Sequence, residues 1–230
     1  MTIEPIAIFH SPFGSKFGIP RQSGLSEELR GEIHFNPGYR NPDAIRGLED
    51  FRYIWLIWEF SGNKPAGKEW SPTVRPPRLG GNKRLGVWAT RSPFRPNNLG
   101  LSSVKIDHID WERMIIHTLG ADLMDGTPIY DIKPYLEYAD SHPGAGGGFT
   151  DSTQWKGLEV VIPSEAEQEL RSKGFGDEDI SALRSALALD PRPHYQNDPS
   201  KIYGFLFNGS DIHFTVSGDV LTLKADVPAR

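Results

Sequence analysis

From Trp70 to Ile106 the chain has no acidic residue, yet it carries Arg75, Arg78, Lys83, Arg84, Arg91, Arg95 and Lys105. The formal net charge of the whole protein is −5, so taking those seven cations away leaves −12 on the remainder. A basic ribbon broken by proline, glycine and aromatic residues suits a phosphate or another polyanion. Guanidinium groups offer forked donors, and Pro and Gly hold the backbone in fixed non-helical shapes. On charge alone, a solvated basic face balancing an acidic remainder is the alternative.

Four polar, rigid strings stand out. Ser11–Leu25 (SPFGSKFGIPRQSGL) carries Lys16, Arg21 and Gln22, and Arg75–Gly81 (RPPRLGG) stiffens two arginines with two prolines. Ala89–Ser102 (ATRSPFRPNNLGLS) sets Arg91 and Arg95 in turns around Phe94. Gly120–Leu136 (GADLMDGTPIYDIKPYL) places Asp122, Asp125, Asp131 and Lys133 around an Asp-Gly corner. One such loop is ordinary; four in a small protein point to a shared site. Asp122 and Asp125 can accept from ribose hydroxyls or an amino group, and backbone amides beside Gln22 and Leu101 can meet an adenine edge. Arginines would grip phosphates.

Other chemistries find no motif. The seven histidines lack HExxH spacing and there is no cysteine, so no metal site is expected. Neither a GxSxG elbow nor a GxGxxG after a strand occurs, which disfavours hydrolase and Rossmann dinucleotide chemistry. The Gly-Ala-Gly-Gly-Gly run at 144–148 follows Pro143 rather than a strand and reads as linker.

The elements that must position these residues are mostly strands. With 24 Gly and 19 Pro in 230 residues, a turn-rich β architecture is favoured. Strands are expected at Ile3–Phe9, Glu32–Phe35, Phe51–Phe60, Leu85–Thr90, Ser102–Ile109, Met114–Leu119 and Pro128–Ile132, forming a barrel or sandwich. Trp55, Trp58 and Trp88 fall at strand spacing and are expected in the core, against the alternative of an exposed adhesive patch. After a linker over 141–155 come a strand at Leu158–Ile162 and two helices. The first is opened by a Ser164–Glu167 capping box and the second capped by Asp177; a meander over 202–223 follows. The expected organisation is therefore a mainly β unit over 1–140 and a small α+β unit over 156–230. No signal peptide or membrane span is expected, and the lack of cysteine suits a reducing, cytoplasmic setting.

Together these strings resemble the TrmO (TsaA-like) tRNA methyltransferase family. The resemblance runs through SPF…KFGIPRQ, DAIRGLEDF, RPPRLGG, GVWATRSPFRPN, LGLS, ADLMDGTPIYDIKPY and DPRPHY (Asp190–Tyr195), nearly the whole chain. It implies an S-adenosylmethionine-dependent enzyme built on a single-sheeted β-barrel, methylating N6 of threonylcarbamoyladenosine at position 37 of tRNA. It also implies a homodimer and a C-terminal domain that helps hold tRNA. Cofactor contacts would fall on Pro20, Arg21, Gln22, Arg91, Leu101, Asp122, Leu123 and Asp125. In the family a histidine often follows the last Phe of the aromatic strand. Here Ser61-Gly62 stands instead, leaving backbone contacts only. Asn98 replaces a usual proline, which should loosen that turn. RNA contacts are expected from Arg75, Arg78, Lys83, Arg84 and Arg95.

Methyl transfer to N6 leaves a proton to be removed, and Asp122 or Asp125 could accept it; either could equally be a ribose or amino-group ligand. The rival from another class is a non-catalytic β module that binds RNA or a nucleotide.

Overall fold

The computed structural model describes residues 2–63, 70–76, 84–151, 156–192, 196 and 198–225. The first part of the chain forms β1 (Ala7–His10), β2 (Arg30–Phe35), helix α1 (Pro42–Ile45), β3 (Tyr53–Glu59), the two-residue strands β4 (Thr73–Val74) and β5 (Leu85–Gly86), β6 (Leu99–Asp110), β7 (Ile115–Leu119), β8 (Thr127–Pro134) and helix α2 (Glu137–Asp140). The second part forms β9 (Glu159–Val161), α3 (Ser164–Ser172), α4 (Asp177–Ala188), β10 (Tyr203–Phe207), β11 (Ser210–Ser217) and β12 (Val220–Lys224).

Six antiparallel strands close into a ring in the order β1-β2-β7-β6-β3-β8 and back to β1. Alternation makes the closure favourable, since every second residue points to one face. Phe9, Ile33, Ile54, Leu56, Val104, Ile116 and Ile129 are almost fully buried and fill the inside of the ring. Closure also removes the free edges that an open sheet exposes. At one point a side chain lies directly over backbone: a Cβ on Gly31 would sit 2.2 Å from the Phe9 ring.

The second sheet has the order β10-β11-β12-β9; β9 comes before the two helices in the chain and pairs in parallel with the last strand, β12. The strand and helices expected after residue 156 are present, but their starts differ. Helix α3 begins at Ser164 itself with Pro163 at its cap, so no capping box forms. Helix α4 has Gly176 at its cap, and the Gly176 N–H donates to Asp179 rather than to Asp177.

Two expectations in the first part also change. Leu85–Thr90 is a strand only to Gly86, and Val87–Ala89 turns as a 3-10 helix. That turn buries Val87 and swings Trp88 outward, so Trp88 is exposed, whereas Trp58 is core and Trp55 is half-buried with its Nε1 donating to Asp140. Asn98 does not loosen its turn. It adopts φ +48, a region closed to proline, and its N–H donates to the Arg95 carbonyl.

The segment between β1 and β2 belongs to neither sheet. Phe13 and Leu29 are buried in the second hydrophobic core with Phe205, Phe207 and Phe214, and Phe17 and Ile19 pack against it. Gly18 has φ +98 and lies so close to Phe205 that a Cβ would meet the ring at 2.7 Å. Asn208 donates its N–H to the Pro12 carbonyl, and the hydroxyls of Ser26 and Ser185 hydrogen-bond at 2.7 Å.

Gly31→Ala is expected to destabilise the protein by about 1–3 kcal/mol, because Phe9 has nowhere to go inside a closed ring. A lowered denaturation midpoint at unchanged slope checks this; an unchanged midpoint contradicts it.

Candidate functional site

Three of the four strings converge. The loop leaving β7 turns at Gly120 (φ +74), whose N–H donates to the Leu29 carbonyl while its own carbonyl accepts from Gly24. Further along, Asp125 and Gly126 donate their N–H groups to the carbonyls of Phe13 and Phe9. The 11–29 segment and the 120–126 loop are thereby laced together at both ends. Asp122 and the PRQ residues sit between.

Asp122 is half-buried. Its Oδ1 accepts from the Ser102 hydroxyl at 2.6 Å, and the Ser102 oxygen accepts from Trp58 Nε1 at 3.0 Å. Ser102 faces inward on β6 because strand alternation turns its neighbour Leu101 out to solvent, 60% exposed. Gly100 leaves room for the indole, since a Cβ there would lie 2.3 Å from Trp58. Burial pushes the Asp122 carboxyl above its ordinary value. The Ser102 hydroxyl, the backbone N–H groups of Asp122 and Ser23, and the Arg91 charge pull the other way.

Arg91 reaches across from the third string, its Nη1 donating to Gln22 Oε1 at 2.5 Å. Gln22 in turn donates from Nε2 to the Arg21 carbonyl. The exposed Arg21 guanidinium is lowered by desolvation and favoured by the Asp190 carboxylate just past α4. Asp125 is exposed and anchored, one oxygen accepting from the Ser11 N–H at 3.2 Å and lying 3.0 Å from His10 Nδ1. Ser61-Gly62 closes the opposite side: Lys16 and Met124 both lie against Gly62, and Lys16 donates to Asn63. Asn63 donates on to the Pro93 carbonyl, tying this turn to the Arg91 loop.

Of the expected cofactor contacts, Arg21, Gln22, Ser61, Gly62, Arg91, Leu101, Asp122 and Asp125 present groups around this one region. Pro20 and Leu123 are buried, and Leu123 packs in the ring core, so neither offers its side chain. Among the expected RNA contacts, Arg75 and Arg84 are exposed. Arg95 is engaged within its own loop, its Nη1 donating to the carbonyls of Val87 and Thr90. Arg78 and Lys83 lie outside the described residues, as does the end of Asp190–Tyr195. Trp58 is core as expected, but its hydrogen bond to Ser102, like the placement of His10 and Ser102 beside the aspartates, has no motif in the sequence; only the inward phase of Ser102 in an alternating strand signals its role. A separate depression of about 330 Å³, lined by Glu49–Arg52 and Ile106–Ile109, holds none of the candidate residues. Among the described residues no group of His, Asp or Glu is placed to hold a metal, and no helix is long and apolar enough to cross a membrane.

The raised Asp122 carboxyl gives a signed prediction. A carboxyl with a higher value folded than unfolded costs stability once the unfolded form ionises. That cost grows as pH rises from about 4 through the folded value and persists at neutral pH. Asp122→Asn keeps an acceptor for Ser102 and removes the cost. Its Tm at pH 7 should equal or exceed that of the unsubstituted protein, and the gain should shrink below pH 4. Melting several degrees lower at pH 7 contradicts this.

The family model described as the tRNA-methyltransferase O N-terminal domain matches residues 8–141, and that of the TrmO C-terminal domain matches 156–225. A protein of Escherichia coli K12 named tRNA (adenine(37)-N6)-methyltransferase is 39% identical over 219 residues, covering 93% of this chain and 92% of its own. A Pseudomonas aeruginosa protein named putative S-adenosylmethionine-dependent methyltransferase RcsF is 37% identical, covering 93% and 91%. The crystal structure of TrmO from P. aeruginosa superposes with a TM-score of 0.79 at 30% identity, covering 97% of this chain and 95% of that one. Matched over most of its length by the two models and by a relative at 39% identity, the chain belongs to the tRNA-methyltransferase O family.

Proposed function

We propose that this protein is an S-adenosylmethionine-dependent methyltransferase acting on N6 of adenosine 37 in tRNA, with threonylcarbamoyladenosine as the nucleoside methylated. The observation that carries the reading is the convergence of Gln22, Arg91, Leu101, Asp122 and Asp125 from three distant strings onto one end of the six-stranded ring. The names of the full-length relatives support the reaction class.

The donor set fits a nucleoside-bearing sulfonium ligand. Asp125 keeps an exposed carboxylate oxygen for hydroxyl or amino donors, Gln22 supplies an amide, and the outward Leu101 offers apolar surface beside backbone polar groups. S-adenosylmethionine supplies a methyl group on a positively charged sulfur. The remaining work falls to the chain: aligning the nucleophile, excluding water and taking up a proton. Asp122 is the better proton acceptor of the two aspartates, because burial raises its basicity while Ser102 and Trp58 fix its orientation. Asp125, exposed and anchored through Ser11, suits ligand binding.

The proposal divides the labour between the two sheets. The ring over 1–140, acting as a single-sheeted barrel, carries the reaction. The 156–230 unit fixes the loop bearing Gln22 and aids tRNA binding, and 141–155 links them. Arg75 and Arg84 are the exposed cations assigned to tRNA phosphates, and Lys16 and Arg91 suit the added carboxylate of the threonylcarbamoyl group. Homodimeric assembly is carried from the family resemblance, and a cytoplasmic location from the cysteine-free composition.

Incubation with methyl-labelled S-adenosylmethionine and tRNA containing threonylcarbamoyladenosine, followed by nucleoside mass spectrometry, should place the label on N6 of that nucleoside. Asp122→Asn should lower turnover by about a hundredfold or more at unchanged cofactor affinity, whereas Asp125→Asn should weaken cofactor binding first. Label on unmodified adenosine would narrow the proposal to the simpler base. Bound tRNA with no label would leave a binding module.

A further inference from the structure

The turn that expels Trp88 from the core creates a surface the reaction itself does not use. Trp88 and Phe94 are each 65% exposed, and Trp70 is 39% exposed with its ring 5.4 Å from that of Trp88. Large aromatics left in water at such exposure mark a contact surface more often than chance placement. These rings are held firmly. Val87 is fully buried and its N–H donates to the Pro72 carbonyl, so the turn cannot roll Trp88 inward. The Arg95 guanidinium caps the Val87 and Thr90 carbonyls and lies 5.3 Å from the centre of the Trp88 ring. Phe94 follows Pro93, whose carbonyl is fixed by Asn63, and its own N–H donates to Ser92.

We propose that Trp88, Phe94 and Trp70 form a stacking platform for unpaired RNA bases next to the candidate site. This rests on the tRNA reading above and adds to it the part of the RNA that is gripped: single-stranded loop nucleotides rather than the stem. Charge selects the partner. The platform lies within the stretch that holds no acidic residue, and the exposed Arg75, Arg84 and Arg91 surround it in sequence. A second copy seated on the same patch about a two-fold axis would bring like charges together, which disfavours it. Unpaired bases present free π-faces that stack on aromatic rings, whereas bases in a duplex already have both faces covered. Position supports the same partner. Arg91, three residues from both Trp88 and Phe94, is the residue that hydrogen-bonds Gln22 and lies within electrostatic reach of Asp122. A base stacked on this loop therefore neighbours the one to be methylated.

The test uses the full-length protein with a labelled anticodon stem-loop RNA and, as control, a fully paired duplex of equal length. Trp88→Ala and Phe94→Ala should each weaken stem-loop binding about ten- to a hundredfold. Trp88→Phe, which keeps a ring, should stay within about threefold of the unsubstituted protein. Duplex binding, S-adenosylmethionine affinity and the salt dependence of binding should not move in the aromatic variants. Arg84→Ala, by contrast, should flatten the slope of log K against log salt by roughly 0.7–0.9. Unchanged stem-loop affinity in Trp88→Ala, with methyl transfer intact, overturns the platform and leaves the proposed function standing. A shift in sedimentation from dimer to monomer, with RNA affinity per protomer unchanged, overturns it in favour of an interface between copies. An unsubstituted protein that binds no stem-loop overturns the platform together with the reading beneath it.

Discussion

The site depends on the burial of four side chains from a loop that has no regular structure of its own. Phe13, Phe17, Ile19 and Leu29 interrupt the ring between its first two strands and insert into the core beneath the second sheet. A loop of that length left free would sample many conformations and would order only at considerable entropic cost. Anchored at Phe13 and Leu29, with the Gly18–Phe205 approach between them, the stretch carrying Arg21, Gln22 and Ser23 becomes a fixed wall. The second sheet thus works on the site without lining its centre, since it decides where Gln22 stands.

Closure of the ring supplies the opposite wall. Strand alternation turns Ser102 inward and Leu101 outward, so one short run serves both the buried polar chain and the exposed apolar surface. The Trp58–Ser102–Asp122 chain gives the carboxylate fixed hydrogen-bond partners inside a region that burial makes unfavourable for charge. An aspartate held this way is oriented and made more basic by its surroundings, a combination that suits proton acceptance and penalises stability. Asp125, three residues further on, is exposed to solvent and anchored by the Ser11 N–H, which suits it to binding.

Much of this was legible in the residues. The strands of the ring were readable from runs such as Phe51–Phe60, and the segregation of arginine from acid marked the loop from which Arg91 reaches Gln22. Three things were not legible, each for a physical reason. Trp88 lies in a run that reads as strand, and the hydrogen bond from the Thr90 N–H back to the Val87 carbonyl shows that the backbone turns there. The seating of Phe13 and Leu29 in a distant core is a long-range contact that no local pattern encodes. Arg95 has the same side chain as Arg84 and sits in the same basic stretch, yet carbonyls from a neighbouring turn claim its guanidinium. Charge counting finds a basic face; it does not say which cations are left for a ligand.

The most direct test of the account is amide hydrogen exchange with and without S-adenosylmethionine, because the central claim is that the 11–29 loop and two segments of the ring meet at one ligand. Added cofactor should slow exchange together at 21–24, at 100–102 and at 121–126, while the 203–207 and 212–216 strands, whose packing is complete without ligand, stay unchanged. Protection confined to one of those segments, or centred on the second sheet, would contradict a site assembled between the ring and the loop that the second core holds in place.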